Sequence, residues 1–307
     1  MPGFLSHYIA GQTALNSATS TIHSVISQYE RLYNLGTQGP DIFFYYLPGL
    51  LSKRTRKMGE QMHQSNLSAF ITHMAKLARK ASSKRRDIIF AYTAGMALHY
   101  ALDTNAHPYV YALTHRDNAS KIKNSTNHRK LETAIDTALL KLVSSKAPAD
   151  YSQWEIINPN QSQMIVAATA ASLAIGSVYN RNLTPQDVKQ AMRYMVRVTR
   201  VMQSRKGRRK KWMGLIENLT IRQPLHSSLI HDQLVKGDFL NQQRKTWKAP
   251  WEGFEFCSDS FIDRYKTAVD EGLQATQMLY DYIYGDTPLK ELSQKLGNRS
   301  LKTGLQV

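Results

Sequence analysis

The chain has 307 residues, 42% of them hydrophobic, and one cysteine, Cys257. That is enough apolar material for a sizeable core; it excludes a disordered polymer and any disulfide within one chain, and a reducing compartment is the simpler assumption. Lysine and arginine total 40 against 23 acidic residues, a formal charge of +17, which favours phosphate-bearing partners (anionic lipid, nucleic acid or phosphorylated metabolites) over solubility alone. The start, MPGFLSHYIAGQTALN, has neither the basic end nor the apolar run of a secretory signal. No uncharged apolar stretch of membrane-spanning length is expected. The expectation is therefore a cytoplasmic protein that meets a membrane, if at all, peripherally.

Apolar positions recur at intervals of three and four, so the chain reads as helix after helix. A first helical region covers about 7–34, with a break inside it, and closes before Gly36. A second runs from about Lys57 to Ala81. A third starts near Asp87 and reaches Asp103, and Pro108 limits its continuation. A fourth runs from Asn118 or Asn127 through Leu142. Later helices cover Gln161 to Tyr179, Pro185 to Met202 and Ser258 to Tyr284, and a short one follows Thr287-Pro288. Thr184 before Pro185 is a good N-cap. Only Tyr151 to Ile157 hints at extended backbone. The expected fold is all-α, a single multi-helix domain over 1–307, with a metal-rich half (1–145) and a helical half of unclear role (146–307). The stretch from Lys146 to Gln163 is the candidate crossover.

The residues that carry chemistry are histidines and carboxylates. One segment reads His99-x-x-x-Asp103-x-x-x-His107 and another His128-x-x-x-Glu132. Residues four apart share a helix face, so each set can converge on one point. Imidazole with carboxylate, without thiolate, suits zinc or a similar divalent ion in a catalytic centre. His63 lies in the second helix, Asp41 sits in GPDIFFYY after the helix-breaking Gly39-Pro40, and His7 lies near the amino terminus. His23, His73, His115, His226 and His231 lack a partner at ligand spacing and read as ordinary residues. Asp136, four beyond Glu132, is either an orienting group behind the ligands or a solvent-facing carboxylate. The run Phe43 to Tyr46 reads as packing that also walls a pocket. Arg205 to Lys211, with six basic residues and Trp212 after it, reads as a solvated loop, an anionic-headgroup dock or a nucleic-acid contact. No phosphate-cradling glycine loop and no convincing serine, cysteine or lysine nucleophile is found.

In the order and approximate spacing of His7, Asp41, His63, His99, Asp103, His107, His128 and Glu132, the chain resembles the zinc-dependent phospholipase C family of bacteria. The segments GPDIFFYY and HYALDTNAHPYV look like its intracellular branch. The resemblance covers roughly residues 1–140. It implies two or three zinc ions: Asp41, His63, His99 and Asp103 on the first, His107, His128 and Glu132 on the second, Asp103 and His7 on a third. It also implies hydrolysis by metal-activated water, with Asp41 orienting that water or taking its proton. The products from a phospholipid are diacylglycerol and a phosphorylated head group. Secreted members begin with a tryptophan whose amine and carbonyl complete the third site; here the start is Met1-Pro2, and a Pro2 amine freed by loss of Met1 is the expected substitute. Ile42 stands where secreted members carry an aromatic for choline, so choline preference does not carry over. The alternatives are a metal-dependent nuclease of the related trinuclear zinc type, suited to the basic charge, or a non-catalytic lipid-binding protein. Head group and oligomeric state are open.

Overall fold

The computed structural model describes residues 3–45, 50–144, 147–202 and 237–307. Met1, Pro2, Tyr46, His226, His231 and the Arg205 to Trp212 run lie outside them. In chain order the described helices are α1 (Phe4–Ser17), α2 (Ser20–Ser27), α3 (Glu30–Gly36), a 3-10 turn (Gly39–Phe44), α4 (Leu50–Gln64), α5 (Leu67–Lys80), α6 (Ser83–Thr114), α7 (Lys121–Val143), a short α8 (Gln153–Ile156), α9 (Gln161–Tyr179), α10 (Pro185–Met202), α11 (Phe261–Tyr284) and α12 (Leu289–Leu296). The fold is all-α. Among the described residues the β-pairing consists of two isolated antiparallel bridges, Trp247 with Cys257 and Arg299 with Gln306.

Four elements differ from the sequence reading, for local or for packing reasons. The second region divides into α4 and α5 because Asn66 takes a left-handed conformation (φ 64°), which asparagine tolerates at a helix end. Tyr151 to Ile157 is not extended: residues 148–150 form a 3-10 turn and 153–156 one helical turn. The third helix runs straight through Pro108 and reaches Thr114. Proline removes the donor that would bond the Thr104 carbonyl, and tertiary packing carries the helix across that gap. Finally, Gln161–Tyr179 is an uncharged helix of 19 residues, long and apolar enough to cross a membrane by length and composition, contrary to the expectation that no such stretch exists. Its Met164, Ala167, Ala168, Ala171, Ala174 and Ile175 are buried, and it packs on α5, α6 and α10, which is how a core helix behaves.

The axis of the fold is α6. It packs along α11, α3 and α5, and from Ile88 to Val110 nearly every side chain is buried. A helix enclosed on all faces normally presents apolar residues all round. This one places Phe90, Tyr92, Met96, Leu98, Tyr109 and Val110 in two hydrophobic clusters. His99, Asp103 and His107 lie in the same enclosed stretch, each no more than 2% exposed. Burying such groups is costly unless they are paired or hold a metal.

Candidate metal centre

Five elements deliver eight donor side chains to one region: α1 His7, the 3-10 turn Asp41, α4 His63, α6 His99, Asp103 and His107, and α7 His128 and Glu132. Among the described residues they form three groups whose ligand atoms lie within 4.8 Å of one another: His7/His99/Asp103, Asp41/His63/His99 and His107/His128/Glu132. Asp103 is central. Its Oδ1 is 3.3 Å from His7 Nε2, and its Oδ2 is 3.1 Å from His99 Nε2 and 3.9 Å from His63 Nε2. Asp41 Oδ1 is 3.2 Å from His63 Nε2, and Glu132 Oε1 is 2.7 Å from His128 Nε2. The imidazoles of His7 and His99 stack at 4.2 Å.

Each donor is aimed by its own local structure. Glycines at the α3–α6 crossing let the two backbones touch: a Cβ on Gly95 would lie 2.2 Å from the Tyr33 carbonyl, and one on Gly36 2.3 Å from that of Tyr92. That approach brings the Thr37 carbonyl to within 3.1 Å of His99 Nδ1. His63 Nδ1 meets the Gly59 carbonyl at 2.7 Å, and His107 Nδ1 meets the Leu301 carbonyl. A carbonyl only accepts, so in each case Nδ1 carries the proton and Nε2 is a lone pair. His7 is aimed through its helix. The Asp136 carboxylate accepts from Leu5 N (2.9 Å), Ser6 N (2.8 Å) and Ser6 Oγ (2.6 Å). It thereby satisfies the exposed donors and positive end of α1. Asp136 is thus buried, not solvent-facing, and it works on the backbone that carries His7.

The electrostatics follow from that crowding. Burial pushes His7, His107 and His128 below the ordinary imidazole value. Burial acts the same way on His99, but the adjacent Asp103 carboxylate wins and raises it. Burial disfavours the Asp103 and Glu132 anions, yet imidazoles overcome it: His99 and His107 hold Asp103 well below its usual range, and His128 brings Glu132 down to about 2.

Whether these donors fit a cation can be judged from the atoms left over. His7 Nδ1 and Nε2, Asp41 Oδ1, His99 Nε2, both Asp103 oxygens and His107 Nε2 are buried without a hydrogen-bond partner. An imidazole lone pair opposed at 3.1–3.2 Å by a carboxylate oxygen is acceptor against acceptor unless a proton or cation lies between them. Two donors each about 2.0–2.1 Å from one tetrahedral zinc lie about 3.3 Å apart. The donor set is nitrogen and oxygen only, which zinc accepts.

Residues outside the ligand motifs complete the surroundings; Trp251, Thr199 and Met202 come from the second half of the chain, where no motif marked them. Tyr111 packs on His128 (4.8 Å between rings) and on Trp251 (4.9 Å). Phe44 lies 5.2 Å from His63, a packing contact beside the ligands. A small cleft borders Glu132 and is lined by Phe4, Tyr45, Arg129, Thr199 and Met202. His115 pairs with Asp117 on the surface and His23 bonds Ser27; neither joins a ligand group.

A family model described as zinc dependent phospholipase C matches residues 3–174. No curated protein and no solved structure matches the chain.

Proposed function

Because the chain belongs to the zinc-dependent phospholipase C family, we propose that it is a phosphodiester hydrolase whose three donor groups hold two or three zinc ions. Its substrate on this reading is a phospholipid, split into diacylglycerol and a phosphorylated head group. The observation that carries the proposal is the set of buried, unpartnered lone pairs converging on Asp103. Asp41, His63, His99 and Asp103 hold one ion; His107, His128 and Glu132 hold a second; His7 and Asp103 contribute to a third. Zinc supplies Lewis acidity and lowers the pKa of coordinated water from 15.7 to about 7.

The chain's own groups do the rest. Asp41, buried on its turn beside His63, orients the attacking water or accepts its proton. Asp103 presents one oxygen toward His7 and the other toward His99 and His63, so a single carboxylate can serve two ions. Arg129, at the cleft beside Glu132, offers a guanidinium to phosphoryl oxygens. Ile42 follows Asp41 in the turn, which gives no reason to favour a choline head group. The charge of +17 supports peripheral contact with an anionic membrane from the cytoplasmic side.

The same charge favours one competing substrate, a polynucleotide. Phospholipid vesicles assayed beside single-stranded DNA and RNA, each with and without chelator, separate the two. Chelator-sensitive release of diacylglycerol is the expected result. Nucleic-acid cleavage with steep salt dependence and inert vesicles would overturn the lipid reading, and absence of any turnover would leave a binding protein.

A further inference from the structure

The last residues of the chain lie far outside the family-matched 3–174, yet they touch the ligands directly. The segment from Asn298 to Val307 closes on itself: Asn298 Nδ2 donates to the Val307 carbonyl (2.7 Å), Val307 N to the Asn298 carbonyl (2.9 Å), and Gly304 N to the Ser300 carbonyl (2.8 Å). It is anchored from outside by the Arg299–Glu271 ion pair at 2.5 Å and by Arg299 N donating to Tyr100 Oη at 2.7 Å. From that seat Leu301, fully buried, turns its carbonyl onto His107 Nδ1. The next residue, Lys302, donates its backbone N–H to the carbonyl of His63 (3.3 Å), which Ser300 Oγ also reaches (3.3 Å). One loop thus grips a histidine from each of two ligand groups.

The way it docks is specific. Gly304 sits at φ +72°, and a Cβ there would lie 2.4 Å from the Thr104 carbonyl and 3.2 Å from Pro108 Cγ. Thr104 is the residue whose helical donor Pro108 removes. The loop therefore also meets α6 at the gap, one turn from His107, where only a residue without a side chain fits.

We propose that the segment Asn298–Val307 is a positioning element of the metal centre, setting the tautomer of His107 and the orientation of His63. The Leu301 carbonyl holds the His107 proton on Nδ1 and leaves Nε2 as the ligand atom. Such outer partners of ligating histidines typically govern 10–100-fold in metal affinity. The inference rests on the reading of the three groups as zinc sites.

The test uses the full-length, zinc-loaded protein, histidine-labelled with nitrogen-15, and two variants, Gly304→Val and Gly176→Ala. In the parent, His107, assigned by its loss in His107→Ala, gives the signature of a proton on Nδ1. Gly304→Val pushes the loop off α6: the His107 signal becomes a mixture of tautomers and the weakest zinc is lost to a competing chelator 10–100-fold more readily, while Gly176→Ala, on α9 where a Cβ would meet nothing nearer than 3.9 Å, changes neither. A merely structural loop would lower the melting temperature of Gly304→Val and leave tautomer and zinc affinity alone, which would overturn the proposal. If Gly304→Val does not fold, the parent spectrum still decides, since a His107 proton found on Nε2 refutes the assignment. A parent without zinc sinks the hydrolase reading instead, and the tautomer still judges the loop.

Discussion

Asp103 is the residue on which the centre turns. Its two oxygens face different histidines, Oδ1 toward His7 and Oδ2 toward His99, so losing the carboxylate disturbs both contacts at once. Asp103→Asn keeps the shape and removes the charge. Zinc content measured after desalting should fall by at least one equivalent per chain, and hydrolysis should drop more than about 100-fold, beyond what loss of an outer partner costs. Full zinc and activity would reject the shared role. The buried imidazoles make a second prediction. The folded values of His7, His107 and His128 lie below the unfolded 6.5. Their stabilising effect is therefore present above about pH 6.5 and lost as pH falls through the folded values. His99 runs the other way, being raised, so three groups oppose one. Glu132 adds a further loss between 4.5 and about 2. Chelator-treated protein should melt at a lower temperature at pH 5 than at pH 7.5; a flat or rising profile would contradict this. The ligand types were legible in the sequence because four-residue spacing puts each set on one helix face. The aiming groups were not, since the Thr37, Gly59 and Leu301 contributions are backbone carbonyls, which leave no trace in side-chain identity.

Two element-scale contacts hold the donors in place. Asp136 on α7 fastens the first turn of α1 through three hydrogen bonds. Asp136→Asn sets an amide donor against one of those N–H groups and removes the charge at the helix end, at a cost of about 1–3 kcal/mol. Denaturant unfolding should show that loss, and zinc bound through His7 should weaken with it; equal stability would show the cap to be idle. The α3–α6 crossing makes the other contact. Gly95→Ala drives a methyl into the Tyr33 carbonyl and should cost about 3 kcal/mol, the upper end for overpacking, while Gly176→Ala, with nothing nearer than 3.9 Å, should be neutral or slightly stabilising. A tolerated Gly95→Ala would mean that the backbones do not touch. Helix boundaries set by local chemistry were legible: Thr184 caps α10 with Asp187 (2.8 and 3.2 Å), and Pro185 opens it. Those set by distant packing were not. Pro108 looked like a stop because nothing near it in sequence shows that α6 is enclosed by other helices.

At the scale of the molecule, the family match stops at residue 174, but the packing around the donors does not. The late helix α11 lies along α6, and Trp251 and Leu301 reach the aromatic and imidazole groups around the second donor set. The second half of the chain is therefore part of how the first half keeps its buried charges in register, a dependence invisible when the sequence is read half by half. The central claim is that these enclosed lone pairs exist to hold zinc. Elemental analysis of the full-length protein, purified without added metal and desalted, tests it most directly. The account predicts two to three zinc ions per chain, falling by at least one in Asp103→Asn. Less than one divalent ion per chain, unchanged when zinc is supplied during folding, would contradict it.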